Sequence, residues 1–98
     1  MLPTTDSLFA FVRSLGGEEL ATYKQHRPFK VSVNANALEF TPGSSNQPRV
    51  ERREHVEAFL VRLGATGSLQ PGQYHDITFN SSYLLALVRR WQCSSAAV

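Results

Sequence analysis

Phe29-Lys30-Val31-Ser32-Val33-Asn34-Ala35-Asn36-Ala37-Leu38-Glu39-Phe40-Thr41 is the stretch from which the fold is read. Apolar and polar residues alternate on both sides of a short break, and alternate residues of a strand share a face. Phe29, Val31 and Val33 fall together in the first run, and Leu38 and Phe40 supply the core side chains of the second. Asn34-Ala35-Asn36 joins the runs with residues that tolerate positive φ, so the reading is a β-hairpin.

Two strands alone are marginal in water. The hairpin must lean on helices, gain a third short strand from 19–24 or 76–79, or pair with another chain. Upstream, Pro28 holds Arg27 extended. The segment 18–26 stays open between a helical turn and a short strand.

Helices account for most of the remaining chain. Leu8, Phe11, Val12 and Leu15 fall at i, i+3, i+4 and i+7, with Thr5 or Asp6 to cap the helix over 6–15 and Gly16 to end it. Val56, Phe59, Leu60 and Leu63 repeat the stripe, stopped by Gly64; Leu84, Leu87, Val88 and Trp91 repeat it again behind an Asn80 cap. Phe79 and Leu84 have the spacing of a hydrophobic staple. Residues 41–48 and 64–76 are rich in Gly, Pro and small polar residues and read as loops.

The expected architecture is α+β: one small domain over 1–98, with a helix, a β-hairpin and two further helices packed on it. The tail from 93 to 98 is expected to fray. Val56, Phe59, Leu60, Leu84, Leu87 and Trp91 are expected in the core. Val61 and Leu85 fall off their stripes and are left as apolar surface.

Composition fits this reading. Of 98 residues, 42% are hydrophobic and 18% charged, which is globular rather than disordered usage. No apolar run approaches the ~20 residues that span a bilayer. The Met1–Asp6 start has no basic segment, so no secretory leader is expected and a cytoplasmic location is. Cys93 is the sole cysteine, which excludes an internal disulfide framework and a cysteine zinc cage. His26, His55 and His75 show no metal-ligand spacing, so neither a metal nor a cofactor is expected. Cys93 has no base beside it in sequence, and no nuclease-like acidic pattern occurs; no catalytic residue is assigned.

The net charge of +2 is mild, and its distribution says more than its sum. Lys24, Arg27 and Lys30 lie in a run of seven residues without an acid. Ser44 and Ser45 lie in a Gly-containing loop after the hairpin, and Arg49, Arg52 and Arg53 follow it. These residues read as the first turns of the second helix, where a phosphate meets backbone N–H groups and arginine forks. Arg53 and Glu57 read as an i, i+4 pair. The expected function is a non-enzymatic, self-associating module. Lys24, Arg27, Lys30, Ser44, Ser45, Arg49, Arg52 and Arg53 would touch nucleic-acid phosphates, with a homodimer as the assembly. The alternative is a protein–protein interaction module that binds no nucleic acid.

Overall fold

The alternating stretch at 29–41 forms the centre of the sheet. The computed structural model describes residues 2–22, 26–43 and 47–96. In it β2 (Pro28–Asn34) and β3 (Ala37–Pro42) pair antiparallel, with Val31 opposite Phe40 and Val33 opposite Leu38. Ala35 turns the hairpin at φ +54°, and Asn36 has no positive φ. Glycine is the residue that takes a positive φ at no steric cost.

Two further strands flank the pair: one takes the third-strand option at 19–24, and the other, at 49–52, is absent from the sequence reading, which places those residues in the second helix. β1 (Glu19–Ala21) joins β2, and β4 (Arg49–Arg52) joins β3, giving an antiparallel meander in the order β1-β2-β3-β4. The open segment at 18–26 is thus resolved as a strand over Glu19–Ala21. Segment 76–79 is a turn rather than a strand.

One face of the sheet carries Phe29, Val31, Leu38 and Phe40, all buried, and the helices pack against it. The other face carries Lys30, Ser32 and Arg52 into solvent. An antiparallel sheet with one covered and one wet face gives the clean alternation seen at 29–41.

α1 runs Thr5–Leu15, one residue longer at its start than expected. Thr4, not Thr5 or Asp6, is the cap: its hydroxyl accepts from the Ser7 N–H at 3.1 Å. Gly16 ends the helix at φ +61°. Leu8, Phe9 and Val12 are its buried face.

α2 runs Arg53–Thr66, so Arg49 and Arg52 belong to β4 and not to the helix. Arg52 is extended, at φ −70° and ψ 150°, and pairs with Ala37 of β3 before the helix begins. Gly64 does not stop α2. The left-handed Gly67 does, its N–H bonding the Leu63 carbonyl at 2.8 Å. Val56, Phe59, Leu60 and Leu63 are buried, as the stripe predicts.

A 3₁₀ turn at Pro71–Tyr74 follows, and α3 runs Ser81–Ala96, taking in Cys93–Ala96 of the segment read as a tail. Leu84 and Leu87 are buried and Trp91 is half-buried. Leu85 is buried too, not left as surface, and belongs with Leu63 of α2 to the same hydrophobic core. The staple expected between Phe79 and Leu84 is not made. Thr78 N–H bonds the Tyr74 carbonyl, and Thr78 Oγ1 accepts from the Asn80 N–H at 2.9 Å. This turn buries Thr78 and leaves Phe79 81% exposed.

Candidate functional site

Strand register decides where the basic residues point. Lys30 lies on the wet face in a row with Glu19 and Thr41, its cross-strand neighbours. Arg52 lies on the same face opposite Ala37, and its guanidinium is 3.8 Å from Glu54. Arg49 pairs with Phe40 and so faces the helices, where its guanidinium lies 6.0 Å from the centre of the Tyr83 ring. Arg53 opens α2, pairs with Asp6 rather than Glu57, and sits 5.1 Å over the Phe9 ring. The Arg53–Asp6 contact joins α2 to the first turn of α1, a link no local spacing reveals. Arg27 is exposed ahead of β2. Lys24, Ser44 and Ser45 lie outside the described residues. Lys30 and Arg52 therefore share the wet face, while Arg49 is turned to the other and Arg53 is held by α1.

A polar seam lies between β4 and the start of α3. Glu51 is opposite Leu38, so it points inward and its side chain is only 7% exposed. Its Oε2 lies 3.1 Å from His55 Nδ1 one turn along the chain. With the carboxylate ionised, the Nδ1–H tautomer donates, leaving Nε2 as the ring's acceptor. Oε1 is buried with no hydrogen-bond partner among the described residues. Burial pushes the Glu51 carboxyl above its ordinary range, opposed by His55, by the nearby Asn80 amide and by the Arg52 backbone N–H. Sequence pattern gives no sign of this seam, because Glu51 reads as a solvated helix residue.

A third feature is apolar. Val61 is 68% exposed on the outer side of α2. With Ala58, Ala65 and Ile77 it lines a shallow groove of about 620 Å³, bordered by Glu54 and Glu57. Arg62 closes one side, hydrogen-bonded to Asp76 and to the Gln73 carbonyl. That guanidinium holds the Asp76 carboxyl below the usual carboxylate range. The Arg62–Asp76 pair fixes the loop bearing Ile77 against α2. Phe79 stands out of the same loop, with His75 6.2 Å away. The stripe reading marks Val61 as surplus; Ile77 and Phe79 carry no such mark, since Phe79 has the spacing of a buried staple residue.

Among the described residues, no three His, Cys, Asp or Glu side chains converge on a metal-sized site, and no helix is long and apolar enough to cross a membrane. No protein-family model, curated protein or solved structure matches the chain.

Proposed function

We propose that the protein is a non-enzymatic interaction module that docks another protein on the outer side of α2 and the loop before α3. The exposure of Val61 beside Ala58, Ala65 and Ile77 carries this reading. Contiguous apolar surface rimmed by polar groups is the usual mark of a docking face. Phe79 adds a large aromatic side chain of the kind that anchors interfaces. Glu54 and Glu57 on the border favour a partner segment with an apolar stripe and flanking Lys or Arg. Phosphate binding draws less support. Arg53 and Arg90 lie against Asp6 and Glu18, and Lys30 has Glu19 as a cross-strand neighbour.

Selection from an unbiased displayed-peptide library tests the reading. The expected winners carry two or three large apolar residues at i, i+3 or i+4 spacing and a net positive charge. Their affinity should fall at least about tenfold on Val61→Asp with the fold intact by circular dichroism, the ~1.4 kcal/mol of one modest hot spot. Winners that bind the Val61→Asp protein equally well reject it.

A further inference from the structure

β4 is the last strand of the sheet, with β3 on one side and no strand of the sheet on the other. An edge strand presents backbone donors and acceptors that a further strand can take up. Three of its residues make this edge unusual. Val50 points to the wet face and is 56% exposed, while Arg49 and Glu51 point to the helix side.

Laid antiparallel against itself about Val50, this strand matches itself in both polarity and charge. Val50 meets Val50, and Arg49 meets Glu51 in each direction. The neighbouring registers lose this match. A slip of one residue would set the two faces against each other, so the competing registers differ by two. Sliding by two residues one way sets Glu51 against Glu51 and Val50 against Arg52. Sliding the other way sets Arg49 against Arg49 and Val50 against Pro48. Charge therefore selects a single two-fold register, and a two-fold interface makes each contact twice.

Glu51 supplies the second observation. Its side chain is more than nine-tenths buried, with Oε2 held by His55 and Oε1 solvent-excluded with no hydrogen-bond partner among the described residues, so the strand carries a negative charge on its helix side. Within one chain Arg49 does not offset that charge by an ion pair, lying instead at the edge of cation–π range over Tyr83. Residues directly opposite across an antiparallel pair have Cβ atoms about 4.5–5.5 Å apart, well within an arginine's reach.

We propose that a second copy of this chain pairs along β4, antiparallel and two-fold about Val50, to form one continuous sheet. Arg49 of the partner subunit then lies opposite Glu51, its positive charge set against the inward carboxylate. Val50 packs on the partner's Val50 on the wet face. The dimer goes beyond the docking surface on α2 and does not depend on it.

Mass measured by light scattering or sedimentation across a dilution series is the first test. A dimer is expected by about 100 µM, the weak end of a small strand-mediated interface. Val50→Cys, on a Cys93→Ser background, should cross-link under mild oxidation. Opposed strand residues lie at ~4.5–5.5 Å between Cα atoms, within disulfide range. Ser32→Cys, on the same face but two strands inward, should cross-link far more slowly. Arg49→Glu should weaken the dimer by about 30-fold or more, as expected for opposing like charges at close range. Mixing it with Glu51→Arg should restore a heterodimer. Should Glu51→Arg fail to fold, the cysteine pair and Arg49→Glu still decide. A monomer mass at every concentration, equal cross-linking at positions 50 and 32, or a dimer indifferent to Arg49→Glu each overturns the proposal.

Discussion

Glu51 is an acid on the wrong side of its strand, and its titration follows from that. Desolvation raises its pKa in the folded protein above the unfolded value, with His55, Asn80 and the Arg52 backbone N–H pulling the other way. The folded state then binds the proton more tightly than the unfolded chain. Stability from this group is therefore greatest at low pH and declines as pH rises through the folded pKa. Glu51→Gln removes that decline. Thermal melts of dilute protein between pH 4 and pH 7 should show the variant gaining on the parent as pH rises. A difference that stays constant, or moves in the parent's favour, rejects the assignment. The same residue shows where sequence reading stops. In β4, Val50 points out and Glu51 points in, the inverse of the polarity that strand patterns assume. At 78 and 79 the inversion recurs, with Thr78 buried and Phe79 exposed. Pattern reading assigns both sites to the opposite environment for the same physical reason: hydrogen bonding, not hydropathy, chose which side chain went inside.

At the scale of the element, legibility tracks the number of repeats. α2 shows its four-residue stripe and the β2–β3 hairpin its full alternation, and both lie where that periodicity puts them. β1 has three residues with only Leu20 buried, too few to show a period. Helix ends are set by single backbone bonds, which is why Thr4 rather than Thr5 caps α1 and Gly67 rather than Gly64 ends α2. The Thr4 cap gives a direct check. Its hydroxyl satisfies the Ser7 N–H, which otherwise has no partner within the helix. Thr4→Ala should cost about 1 kcal/mol, read as a lower midpoint in urea with an unchanged slope. A variant as stable as the parent would show that water takes over the Ser7 N–H. The candidate interaction site was legible only in part, since Val61 is surplus to its stripe while the loop bearing Ile77 is brought to it by the distant Arg62–Asp76 pair.

Across the whole molecule, every strand pairs with its neighbour in sequence, so the sheet closes through short loops alone. Contacts of such short range favour quick folding. Of the three pairings, β2 with β3 is the longest, and its turn is the one with Ala35 at φ +54°. A left-handed alanine costs about 1–2 kcal/mol relative to the right-handed conformation. Glycine relieves that cost but gives up about 0.4–1 kcal/mol in the unfolded chain. Ala35→Gly should thus stabilise by roughly 0.5–1 kcal/mol. If this hairpin is formed at the folding barrier, the gain belongs to the forward rate, which should rise about two- to fivefold while unfolding keeps its speed. Stopped-flow refolding and unfolding across urea would show it; a change confined to the unfolding arm would put hairpin closure after the barrier. On this account the turn at Ala35 acts as a brake on the chain's own assembly, and how long the apolar face of a nascent sheet stays open is set by one methyl group.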